Sequence, residues 1–187
     1  MKGKPSPPIR RNKLKITLSG SPGSGKTTVA RLLSKKLHIH LVSVGKMFRK
    51  IAEEKGLSLA DFGKLAETDV EFDRMVDERQ KEEAKKLRGA VIDGRLSWYF
   101  IEDADLRVWL KTPLKIRAER IAGREKIPVQ EAERQIVARE ACELKRYRDY
   151  YKIDLNDLSV YDLVIDTSRW KPDEIVQIIT ASLKGLK

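Results

Sequence analysis

The chain has 187 residues, enough for one domain with a sizeable core, and carries 39 Lys and Arg against 28 Asp and Glu, a formal net charge of +11. Its one cysteine, Cys142, allows no internal disulfide and suits a reducing compartment, and its two histidines, His38 and His40, leave no histidine cluster for a metal. No apolar run approaches membrane length, so a cytoplasmic location without a membrane partner is expected.

Residues 1–13 are polar and basic with Pro5, Pro7 and Pro8, and read as a disordered tail ahead of a domain at 14–187. The apolar run at 14–19 reads as a strand. G-S-P-G-S-G-K-T at 20–27 follows, matching the phosphate-binding loop G-x-x-x-x-G-K-[ST] at every position. A helix is expected at about 26–37, and this strand–loop–helix context is what the motif requires. Gly20, Ser21, Pro22, Gly23, Ser24, Gly25 and Thr28 are assigned to the triphosphate cradle. Its inward amides and helix N-terminus favour anions. Lys26 is expected on the β- and γ-phosphates and Thr27 on Mg²⁺. The chain therefore binds a nucleoside triphosphate.

A short strand at 41–43 leads to a helix at 45–55, another starting at Ser58, and a long amphipathic helix from Asp69 to about residue 87 with Phe72, Met75 and Val76 on one face. Gly45 permits close approach of a ligand, and Arg49, one turn on, is placed to fork onto a monophosphate. The competing reading of Arg49 is a solvated residue between Lys46 and Lys50. A third strand at 90–93 ends in Asp93-Gly94-Arg95: Asp93 is placed to orient Mg²⁺ through water, and Arg95 to face the acceptor. The plain alternative is a tight Asp-Gly turn.

Strand 105–111 precedes a helix opened by Thr112-Pro113, with Pro113 expected at its first position. Pro128 opens a further helix to about residue 150, a strand follows at 161–166, and a closing helix at 172–183 turns Ile175, Ile178 and Ile179 inward. Five strands separated by helices imply a parallel sheet covered on both faces. Arg117, Arg120 and Arg124 recur at one-face helical spacings, as do Arg139, Glu143 and Arg146. Guanidinium groups converging on a transferring phosphoryl neutralise its spread charge; the competing reading is a salt-bridged solvated helix.

Residues 1–52 hold 13 basic residues and no acidic ones, and the remainder balances 26 against 28. Anion steering of a polyphosphate explains this better than a nucleic-acid patch, because Phe48 is the only aromatic in the basic part. No guanine-reading signature and no second long domain are present, which argues against a GTPase switch or a helicase. The helical excursions at about 45–88 and 122–139 leave the sheet where α/β folds bind ligands, and lobes closing there exclude water.

These residues together resemble the cytidylate kinases, most closely the archaeal type. The resemblance runs through the phosphate loop, L-V-S-V-G-K-M-F-R at 41–49, I-D-G-R-L-S-W at 92–98, R-A-E-R at 117–120, R-E-A-C-E-L-K-R-Y at 139–147 and D-L-S-V-Y-D-L-V-I-D-T-S at 157–168, and covers about residues 13–183. It implies a three-layer α/β/α P-loop kinase fold with a five-stranded parallel sheet in the order 2-3-1-4-5, a monophosphate-binding lobe at about 45–88 and a short lid at about 122–139. It implies transfer of the ATP γ-phosphoryl to CMP or dCMP with Mg²⁺, by a monomer with no nucleic-acid partner. The acceptor site it implies comprises Ser43, Gly45, Arg49, Asp93, Gly94, Arg95, Arg139, Glu143 and Arg146, with Glu143 facing the nucleoside; it also implies catalytic roles for Lys26, Arg120, Arg139 and Arg146 and a place for Arg117 in the ATP site. The chain departs from the bacterial pattern at Ser43, where D-S-G becomes S-V-G, and at Leu96, where D-G-R-D becomes D-G-R-L. Adenylate or another small-molecule kinase on this fold is the nearest alternative; an RNA-associated ATPase using the tail is the more distant one.

Overall fold

A computed structural model describes residues 13–57 and 59–186. The basic tail, Lys13 apart, lies outside the described residues, as does Ser58, the expected start of the third helix. Five strands, β1 (Lys15–Gly20), β2 (His40–Ser43), β3 (Ala90–Asp93), β4 (Leu106–Lys111) and β5 (Leu163–Asp166), pair in parallel in the order β2-β3-β1-β4-β5. The order reverses beside β1, so the crevice at the carboxyl ends of β1 and β3 is where such a sheet binds ligands.

Helices cover both faces. On one, α1 (Lys26–Leu37) and α8 (Pro172–Ser182) lay Val29, Leu33, Ile175, Val176 and Ile179 against Ile16, Val91, Val108 and Ile165. On the other, Met47 of α2 (Val44–Glu54) and Ala84 of α4 (Val70–Lys86) meet Val42 and Ile92. The central strand β1 is buried along its whole length, its alternating polar residues Thr17 and Ser19 included. α2, α3 (Leu59–Thr68) and α4 close around Phe62, which no solvent reaches; its ring meets Phe48 and Phe72 edge-on at 4.5 and 5.2 Å. Asp69 caps α4 by accepting from the Glu71 amide.

The segment after β4 is a hairpin of α6 (Leu114–Glu125) and α7 (Val129–Tyr151), zipped by Ala118, Ile121, Ala132 and Ile136. Pro113 is the cap of α6 rather than its first residue, because its ψ of 143° is extended. A short helix absent from the sequence reading, α5 (Ser97–Phe100), packs Phe100 against Ile153 and Leu155. β5 starts two residues later than expected, since Tyr161 instead packs its ring 5.1 Å from Trp109. His38 and His40 are exposed at the end of α1, and Cys142 is half-buried on α7. No helix of the described residues is long and apolar enough to cross a membrane.

Candidate active site

The loop from Gly20 to Gly25 is bent by glycines that nothing else can replace. Gly20 (φ +147°) would place a Cβ 2.2 Å from the Leu110 carbonyl oxygen, and Gly23 (φ +79°) would place one 2.8 Å from that of Arg117. Gly25 (φ +91°) turns the chain into α1. Lys26 Nζ arches back to donate to the Ser21 carbonyl at 3.0 Å, and Thr27 Oγ1 donates to Asp93 Oδ2 at 2.7 Å. Burial, with Arg95 adding to it, lowers the Lys26 ammonium to about 8, against the pull of Asp93.

The underside of the loop is held by side chains from the ends of β4 and β5 and from α6. Thr167 Oγ1 donates to the Ser24 carbonyl at 2.9 Å and lies 2.6 Å from Thr112 Oγ1. Arg117 donates to the carbonyls of Thr112 and Pro22, and grips Glu140 of α7 with both terminal nitrogens at 2.9 and 3.2 Å. Arg120 donates to Thr167 through both its carbonyl and hydroxyl oxygens, 2.9 Å each.

Across the crevice, Ser43 and Asp93 are register partners at the ends of β2 and β3, both buried. A Cβ on Gly94 would lie 2.4 Å from Ser97 Oγ and 2.5 Å from Val44 Cγ2, so the turn is sealed against a side chain. Gly45 is the opposite case, with open space around the place its Cβ would take. Arg95 reaches back to the Gly20 carbonyl at 3.1 Å and donates through Nε to Glu143 at 2.6 Å. The other oxygen of Glu143 accepts from Arg139 at 2.8 Å. Burial alone would raise the Glu143 carboxyl, yet Arg95 and Arg139 together hold it at about 2. Arg146 pairs with Asp73 of α4 at 2.8 Å.

Lys26, Thr27, Asp93, Arg95, Arg139 and Glu143 thus gather around the loop and the end of β3, while Arg146 is held by Asp73 of α4. Arg117 and Arg120 lie under the loop, occupied with its carbonyls and Thr167. Arg49 is exposed on α2, and Arg124 is exposed and paired with Glu125. Thr28 is exposed in the first turn of α1. Glu140 and Thr167 lie within stretches that carry the family resemblance, but their roles, like that of Thr112, follow only from the hairpin and strand ends meeting beneath the loop. Asp73, which with Asp77, Arg79 and Gln80 on the long helix is a sequence candidate to read cytosine, is the partner of Arg146, a pairing no sequence spacing shows.

The family model for the cytidylate kinase-like family matches residues 15–169. A protein of Methanocella arvoryzae named cytidylate kinase is 53% identical over 172 residues, 92% of this chain and 98% of its own length. One of Pyrococcus abyssi with the same name is 48% identical over 173 residues, 92% and 95% of the two chains. Among solved structures, shikimate kinase from Acinetobacter baumannii superposes with a TM-score of 0.64 at 20% identity, covering 94% of this chain and 96% of that one. An uncharacterised protein from Eubacterium ventriosum gives 0.67 at 18% identity over 90% and 97%. At those identities the structural neighbours speak for the fold, and the sequence matches carry the assignment: the chain belongs to the cytidylate kinase-like family.

Proposed function

We propose that this protein transfers the γ-phosphoryl group of ATP to CMP or dCMP, giving ADP and CDP or dCDP. The observation that carries the reading is the knot at the end of β3, where Arg95 and the solvent-exposed Arg139 share the buried Glu143 carboxylate and Arg95 also touches the phosphate loop. Two guanidinium groups beside Lys26 form a site for shared phosphate charge, and the matched relatives bear the name cytidylate kinase. An oxygen of the acceptor phosphate attacks the γ-phosphorus, the bond to the β–γ bridging oxygen breaks, and its electron pair stays on ADP. No covalent enzyme intermediate is needed.

In this reading Lys26 stabilises charge at the bridging oxygen, and the loop amides hold the β-phosphate. Arg139 and Arg146 steady the transferring group from α7, while Arg95 and Arg49 hold the acceptor phosphate and Ser43 and Gly45 line its site. Arg117 and Arg120 act from beneath, fixing the loop through Pro22, Gly23 and Thr167. Helices α2–α4 form the acceptor lobe and the tip of the α6–α7 hairpin the lid. The hydroxyl and carboxylate oxygens of Thr27 and Asp93, 2.7 Å apart, suit a hard cation, and these two would hold Mg²⁺. Bound there with ATP, Mg²⁺ supplies charge neutralisation on the β- and γ-phosphates. The reading carries with it a cytoplasmic monomer without a nucleic-acid or membrane partner.

A panel of acceptors with ATP and Mg²⁺ tests it. CMP or dCMP is expected to give the highest kcat/KM; faster turnover of AMP or of shikimate would sink the proposal.

A further inference from the structure

The departure from D-G-R-D leaves open how this chain recognises a base, and the inward face of α4 supplies an answer. Asp73, Asp77 and Gln80 follow one another at helical spacing on that face, and each is fixed by a different neighbour. Asp73 pairs with Arg146, and Asp77 Oδ2 accepts from the Tyr151 hydroxyl. Gln80 Oε1 accepts from Ser97 Oγ at 2.6 Å, two residues past Arg95. Gln80 is 1% exposed and Ser97 fully buried, so this is a built contact rather than a surface encounter.

With Oε1 taken by Ser97, Gln80 has only its Nε2 donor left, and that nitrogen donates to no group among the described residues. Asp77 likewise keeps Oδ1 as a remaining acceptor beside it, one turn along the helix. The Gln80 side chain is buried with one spare donor, which gains a hydrogen bond where a ligand supplies the acceptor. The two residues stand one turn apart on α4, one with a spare donor and the other with a spare acceptor.

Building on the acceptor assignment above, we propose that Gln80 and Asp77 read the pyrimidine edge. Gln80 Nε2 donates to ring nitrogen N3, and Asp77 Oδ1 accepts from the exocyclic 4-amino group. Carboxylates read cytosine at this amine elsewhere. Uracil presents an N3–H donor and an O4 acceptor, reversing both polarities, so donor would face donor and acceptor face acceptor. Ser97 and Tyr151 are positioning residues, acting by fixing which atoms Gln80 and Asp77 present.

The experiment measures kcat/KM of the unmodified full chain, with saturating ATP and Mg²⁺, for CMP, UMP and two CMP analogues. One analogue has carbon in place of ring N3 and the other hydrogen in place of the 4-amino group. Each change is expected to cost about 10²-fold, chiefly in acceptor KM, because a buried partner is left unpaired. In Gln80→Ala the penalty for losing N3 is expected to vanish while the penalty for losing the amine persists; Asp77→Ala is expected to do the reverse. The double variant Asp77→Asn with Gln80→Glu, which exchanges donor and acceptor, is expected to shift preference toward UMP with the ATP KM unmoved. A wild-type chain that prefers CMP yet treats both analogues as CMP overturns the base reading alone, whether or not the variants fold. A wild-type chain that prefers AMP overturns the acceptor assignment and this inference with it.

Discussion

Arg146 of α7 and Asp73 of α4 face each other at 2.8 Å with side chains only 11% and 9% exposed, joining the helix that carries the arginines proposed to clamp the phosphates to the helices proposed to hold the acceptor. A buried pair loses most when one member is removed, because the other charge is left without a partner. Asp73→Ala is therefore expected to destabilise the fold by about 3 kcal/mol. Asp73→Ala with Arg146→Met is expected to be less destabilised than the sum of the single changes. Urea unfolding of the four proteins in a double-mutant cycle checks this; additive effects would mean that the pair does not couple the two helices.

Glycines of the two ligand loops should respond in opposite directions. Gly23→Ala combines a left-handed φ of +79° with a Cβ 2.8 Å from the Arg117 carbonyl oxygen, so it is expected to lower the melting temperature and to abolish ATP binding. At Gly45 a Cβ meets open space at the start of α2, and Gly45→Ala is expected to leave stability unchanged or raise it by roughly 0.5–1 kcal/mol through helix propensity. Its acceptor KM is expected to rise, since the open space is where the acceptor is proposed to lie. Calorimetry and steady-state kinetics on the two variants separate the cases.

Lys26 sets a limit in alkali. Its ammonium is lowered to about 8 in the free protein by burial and by Arg95. A depressed lysine loses its charge as pH rises through that value, so kcat/KM for ATP is expected to fall above about pH 8. Bound triphosphate favours the charged form, so kcat itself is expected to hold to higher pH. Lys26→Ala is expected to lower kcat on the order of 10²- to 10³-fold and to erase this alkaline limb. A pH profile of kcat/KM that stays flat to pH 10 in the wild type would contradict the assignment.

Glu143 makes the complementary statement in acid. Its carboxyl is held at about 2 against an ordinary 4.5, burial being outweighed by Arg95 and Arg139. Because the folded value is the lower one, its contribution to stability is fully present above about pH 4.5 and drains away as pH falls from there toward 2. Glu143→Gln is expected to be less stable than the wild type at pH 7, with the gap closing across that acid range. Denaturant midpoints measured from pH 2 to 7 test it; a constant gap would show that Glu143 titrates as it does in the unfolded chain.

The sequence by itself determined the strands and the phosphate-loop motif. Strand runs such as Ile16-Thr17-Leu18 and Ala90-Val91-Ile92 are local signals, and the phosphate loop is contiguous, so its glycines, Lys26 and Thr27 are legible as one string ending at α1. Helix α1 and β3 fall at the expected bounds, and the sheet order is the one the family resemblance implied. The tertiary structure alone decided the pairings: which carboxylate holds which arginine, that Arg117 and Thr167 brace the loop from below, and that Ser97 of the unforeseen α5 pins Gln80. Helical spacing says which residues share a face but not what that face meets. Asp73 and Arg146 are 73 positions apart, and only the packing of α4 beside α7 removes the water that would otherwise have screened each from the other.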